Sequence, residues 1–179
     1  MRRRTKVLIA IAAVLLPVGA WALYWFQPWL LFTNDTIHDS LPAVATESAP
    51  SSPTPTSAPA SPSDTLLARG TFISHEHHTS GTASIVRLAN GKRILAIAHL
   101  NTSEGPAVKV WLTDRMVTKG GWHTFDDGKY VNLGDLKGNL GDQVYAIPDS
   151  ADLSQLQSVV VWCDRFDVSF GAAQLTTIG

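Results

Sequence analysis

The chain has 179 residues, a formal net charge of −1 and a central block where Pro, Ser and Thr concentrate, which leaves room for one ordinary domain plus accessories. No basic stripe is interleaved with aromatic residues, so the composition argues against a nucleic-acid partner. A single cysteine, Cys163, excludes a disulfide scaffold and any zinc or iron–sulfur site built on several thiolates of this chain.

Arg2, Arg3, Arg4 and Lys6 crowd the first six positions, and residues 7–26 then carry no charge. About 20 residues at roughly 1.5 Å rise match a hydrocarbon core of about 30 Å, which predicts a transmembrane helix. The next charges are Asp35 and Asp39, so the positive-inside rule places residues 1–6 in the cytoplasm and everything after Phe32 outside it. Trp21, Tyr24, Trp25 and Trp29 fall where amphipathic rings favour the outer interface. Ala20-Trp21-Ala22 has the small-residue pattern of a signal-peptide cleavage site, but the apolar aromatic run continues past it to Phe32, which favours an uncleaved signal-anchor over residues 7–32.

Residues 33–68 are expected to be an extracytoplasmic linker, with almost nothing to bury and Pro at short intervals between Ala43 and Asp64. Disordered and rich in polyproline II, such a segment would hold the following domain up to about 70 Å from the membrane.

From residue 69 to 179 the pattern changes to short β-branched and aromatic runs broken by Gly, Asn and Asp, which predicts an all-β domain, a β-sandwich of eight or nine strands. Asn90-Gly91 between two apolar runs marks a hairpin. Val108, Val110 and Leu112 alternate with Lys109 and Trp111, and Phe166, Val168 and Phe170 alternate with Asp167 and Ser169, as strands with one face in a core do. The almost wholly apolar run from Ser158 to Cys163 reads as a strand covered on both faces. It is out of phase with the run from Phe166, so a turn or bulge is expected at Cys163-Asp164-Arg165.

No phosphate-cradling loop, G-x-S-x-G elbow or H-E-x-x-H pair occurs. Asp126-Asp127-Gly128 reads as a turn, and Asp164 and Asp167 as solvated carboxylates. In His75-Glu76-His77-His78, an extended backbone would point His75 and His77 the same way, at the spacing of two metal ligands; a polar loop is the simpler explanation. Cys163 is either a packed apolar residue or a reactive thiol, which Arg165 would favour and Asp164 oppose.

The segment from Arg69 to Leu175 resembles the DM-thirteen domain, often labelled an electron-transfer domain. The resemblance is carried in order by Gly70-Thr71-Phe72, the His75 to Gly81 stretch, Thr102-Ser103-Glu104-Gly105-Pro106, Val110-Trp111-Leu112 and Leu133-Gly134-Asp135-Leu136-Lys137-Gly138. Gly141 to Pro148, Val161-Trp162-Cys163 and Phe170-Gly171 complete it. Phe26-Gln27-Pro28-Trp29 is similar to the anchor region of bacterial members with one N-terminal helix. His78 and Ala107 depart from the pattern, standing where Pro and Asp are usual.

The resemblance implies a redox role through Cys163; together with the anchor it gives, as the leading reading, a cell-membrane, single-pass redox protein in which His75, His77 and His78 are cofactor contacts. The cofactor itself stays unnamed. One thiol cannot cycle as an internal dithiol, so a bound group or a partner is required. The alternative is a non-catalytic envelope-binding module, using loops such as 115–128 for a protein partner, or Trp111 and Trp122 as a stacking surface for carbohydrate.

Overall fold

The computed structural model describes residues 3–43 and 63–178. Helix α1 (Arg3–Phe26) runs through Pro17 and has an apolar stretch, Arg4–Phe26, long enough to cross a membrane. A helix apolar all round must be buried in protein or in lipid, and none of that stretch is buried against this chain. Gln27 ends it in the left-handed conformation (φ 43°), and a 3-10 turn (Pro28–Phe32) follows.

Among the described residues, ten strands form one curled sheet. They are β1 (Thr36–His38), β2 (Thr65–Ser74), β3 (Ser80–Arg87), β4 (Arg93–Asn101), β5 (Val108–Thr113), β6 (Tyr130–Asp135), β7 (Leu140–Ile147), β8 (Ser158–Cys163), β9 (Val168–Gln174) and β10 (Thr176–Thr177). Their order is β1-β7-β4-β3-β2-β9-β8-β5-β6, with β10 added to β2. The all-β expectation holds, and the sandwich takes the form of a single sheet folded over on itself. The corner strand is β2: up to Thr71 it pairs with β3, while Phe72, Ile73 and Ser74 pair with β9. A bulge between Leu66 and Ala68 adds to its bend.

The two halves close on Ile85, Leu95 and Ile97 from one side and Val110, Leu112, Val159 and Val161 from the other, all buried. A smaller cluster of Trp111, Phe125, Val160, Trp162 and Ala172 lies on the other face of β8, where the β5–β6 loop folds over it. This explains the unbroken apolar run in β8, since Val159 and Val161 enter one core while Val160 and Trp162 enter the other. The expected break follows β8 directly, as a four-residue turn at 164–167 with Asp167 at φ 49°.

The alternation expected after that break does not hold. Phe166 sits exposed in the turn, and Ser169 is fully buried. Strand β9 lies between β2 and β8 with both faces covered, so a single inward face is the wrong template there. The Asn90-Gly91 hairpin forms as expected: Gly91 takes φ 83° and donates to the Leu88 carbonyl at 2.8 Å.

The linker expectation over 33–68 needs correction at both ends, because β1 and the start of β2 belong to the sheet. β1 lies parallel to β7, with Thr36, Ile37 and His38 opposite Leu140, Gly141 and Asp142. Buried Asn139 clasps its entry: its Oδ1 accepts from the Asp35 amide at 2.8 Å, and its Nδ2 donates to Asn34 and to the Thr102 carbonyl. Asp39 accepts from Lys137 Nζ and from the Val144 amide at the exit. Residues 44–62, the heart of the expected linker, lie outside the described residues. Both flanks of that segment are fixed to the sheet, so it connects two strands of the domain and does not stand between the domain and α1.

Candidate functional site

The histidine motif lies in the bend between β2 and β3, held down by β9. Phe170 O accepts from the His75 amide (3.0 Å), the His77 amide (3.4 Å) and Thr79 Oγ1 (3.0 Å). Such close approach requires Gly171 beneath it, where an added Cβ would lie 2.4 Å from the Thr79 Cβ.

Because residues 75–77 form a bend and not an extended strand, the expectation that His75 and His77 share a direction fails. His75 turns inward. Its Nε2 donates to the Thr118 carbonyl at 3.1 Å, which leaves Nδ1 to accept from Ser169 Oγ at 2.7 Å. With both nitrogens engaged, this ring has no lone pair free for a cofactor. Burial holds it below the usual imidazole value, despite the bond to Thr118. His77 turns the other way, its ring centroid 4.0 Å from that of Phe170, and burial again holds it low. His78 is exposed. Among the described residues no group of three or more His, Cys, Asp or Glu side chains is arranged to hold a metal ion.

His77 opens instead onto a cleft of about 540 Å³, where the end of α1 meets the sheet. Phe26, Pro28 and Leu30 form its helix side, and Phe166, Val168 and Phe170 its sheet side. Polar groups are few: Glu76, His77, Glu104, His123 and Gln27. Burial pushes the Glu104 carboxyl up, although it accepts from the Asn139 amide. His123 donates from Nδ1 to the Asp167 carbonyl at 2.5 Å, which leaves Nε2 facing away from that bond.

The 164–167 turn docks α1. Arg165 Nη1 donates to the carbonyls of Tyr24 (3.2 Å) and Trp25 (2.8 Å), its guanidinium stands 5.3 Å from the Trp25 ring, and Phe166 stacks on Phe26 at 5.8 Å. Carbonyls in the last turn of a helix lack intrahelical partners and favour a cation.

Cys163 lies behind this cleft and does not line it. Its side chain is fully buried, and Sγ donates to the carbonyl of Pro106, itself a residue of the cleft wall, at 3.3 Å. Burial pushes the thiol up, outweighing the lowering by the Phe166 and Arg165 amides. Asp164 raises it and Arg165 lowers it, the opposed effects expected from the sequence. A neutral, covered thiol is a poor nucleophile.

Of the proposed carbohydrate platform, Trp111 is buried and stacked on Tyr130 (4.1 Å) and Trp162 (5.2 Å), while Trp122 is half-buried with its indole N–H on the Lys119 carbonyl. Asp126-Asp127-Gly128 makes bends, as expected.

Sequence reasoning named His77 but missed Glu104, His123, Phe166 and the helix end as members of one site. Two signals were present: the Glu104-Gly105-Pro106 motif and the Phe26-Gln27-Pro28 segment each stood out, and the fold brings them together. A family model described as Electron transfer DM13 matches residues 71–175. No curated protein and no solved structure matches the chain.

Proposed function

The chain belongs to the Electron transfer DM13 family, and from that premise we propose that it is a membrane-anchored redox domain. Helix α1 spans the cell membrane with the basic N-terminus in the cytoplasm and the sheet outside, and the cleft at the helix–sheet junction is where the electron-carrying group or partner sits. The observation that supports this reading is the cleft itself, a concave, largely apolar space with few convergent polar groups. Its side chains do not suit a metal held by protein ligands, since His75 is committed on both nitrogens and, among the described residues, no three His, Cys, Asp or Glu side chains converge. An organic group, bound by apolar contact and a few hydrogen bonds, suits them better.

Cys163, expected as the redox group, enters this reading as a positioning residue. Its thiol holds the Pro106 carbonyl from behind and so shapes the wall. The test is a native thiol titration and a redox titration of the full-length chain in detergent or nanodiscs. The expected result is a thiol silent until the chain unfolds, together with electron exchange that survives Cys163→Ser. A freely reactive native thiol whose loss abolishes exchange would restore the cysteine to the central role, and absence of any exchange would end the redox reading.

The second reading, a non-catalytic envelope-binding module, is favoured by the same burial of Cys163. It predicts no electron exchange and a partner that is lost when the β5–β6 loop is altered.

A further inference from the structure

The cleft's position and lining narrow what it can hold. It opens at the C-terminal end of α1, lined there by Phe26, Gln27, Pro28 and Leu30, and the same stretch of chain carries Trp21, Tyr24, Trp25 and Trp29, residues suited to the boundary between lipid and water. Trp29 and Phe32, which follow the helix, are exposed at 50% and 87%. A ligand entering here therefore comes from the membrane surface.

Inside, the stacked pair Phe26 and Phe166, with Val168 and Leu30, offers aromatic and aliphatic contact, while buried Phe170 backs the His77 ring. The hydrogen-bonding groups are Gln27, Glu76, His77, Glu104 and His123; burial holds the His77 imidazole below its usual value and pushes the Glu104 carboxyl above its own, so the interior disfavours charge at both. A few donors and acceptors around a largely apolar space suit an apolar ring bearing oxygen substituents. A cleft of about 540 Å³ falls within the usual span of small-molecule sites, about 300–1,000 Å³, and takes such a ring with the first carbons of a tail.

We propose that this cleft binds the ring of a membrane-dissolved quinone or quinol, its oxygens toward His77, Glu104 and His123 and its tail leaving along Phe26 and Leu30. This rests on the reading of the cleft as the redox site, and it concerns binding alone. The claim separates from that reading because a quinone can bind without exchanging electrons, and electrons can be exchanged with another group.

The test uses the full-length chain in nanodiscs and an azido-benzoquinone with a decyl tail, its photo-crosslinks mapped by mass spectrometry. Crosslinks are expected within residues 26–30, 104–106 and 166–170, to be competed by decyl-ubiquinone and not by decanol. Phe166→Ala and His77→Ala should each lower labelling about tenfold, with unchanged near-UV circular dichroism confirming the fold. Crosslinks spread along α1, equal competition by decanol, or labelling indifferent to both variants in folded protein would overturn the proposal. A redox titration on the same sample separates the two claims. Electron exchange without specific labelling sinks the quinone alone, whereas specific labelling without electron exchange sinks the redox reading and leaves the binding site standing.

Discussion

His75 uses both ring nitrogens inside the fold, so its role is to join the β2–β3 bend to β9 and to the β5–β6 loop. His75→Ala would strand Ser169 Oγ and the Thr118 carbonyl, and it should cost about 2–3 kcal/mol in denaturant melts. The sign of the pH effect follows from the direction of the shift. A histidine held low when folded, against about 6.5 when unfolded, lets the unfolded chain bind more protons as pH falls. Stability is therefore complete above about pH 6.5 and declines below it, and His75→Gln should flatten that decline in thermal melts from pH 7 to 5. His77 contributes in the same direction. Ala107 is a different case. It sits exposed at φ 61°, a left-handed conformation that the Asp usual at this position in the resemblance tolerates better. Ala107→Asn should raise stability by about 0.5–1 kcal/mol, read as a shift in the denaturation midpoint. The histidine motif and Ala107 were visible as residues, but their conformations were not. Period-two reasoning assumes an extended backbone, and three donors converging on Phe170 O impose a bend instead.

At the scale of elements, the short β1 is held by features cut to its shape. An added Cβ at Gly138 would lie 2.5 Å from the Asp35 carbonyl oxygen, and one at Gly141, with φ 94°, 2.1 Å from that of Ile37. Gly141→Ala should therefore displace β1 at a cost of about 1–3 kcal/mol, seen as lost hydrogen-exchange protection at Asp39 and Leu140, whose amides bond across this edge. Strands β8 and β9 teach a related lesson. The run ending at Cys163 was recognisable as doubly covered because it is apolar throughout, whereas β9, equally covered, carries Ser169 and Gly171 and so reads as alternating. Its serine is buried because His75, 94 residues away in sequence, supplies the hydrogen bond.

For the whole molecule, joining β1 to the sheet changes what the Pro/Ser/Thr block does. Only residues 27–35 separate α1 from β1, and Arg165 and Phe166 dock the sheet on the helix end, so the domain is seated beside α1 with no long stalk to range on. A chain carrying an engineered protease site between residues 44 and 62, cut after folding, should keep its two fragments together through size-exclusion chromatography in detergent. Adding Gly141→Ala should let them separate. Free release of the 63–179 fragment from the singly cut chain would contradict this arrangement. Composition and pattern alone determined the apolar N-terminal helix, the all-β class, the hairpin at Asn90-Gly91, the break after Cys163 and the family, because each is written in local periodicity or in motifs that survive without neighbours. Tertiary structure alone decided that Cys163 is covered, that the histidines part, that a three-residue strand ahead of the Pro-rich block joins the sheet, and that the helix end and the Glu104-Gly105-Pro106 motif enclose one cleft. Those depend on which distant groups bury or hydrogen-bond one another, and no local pattern records that.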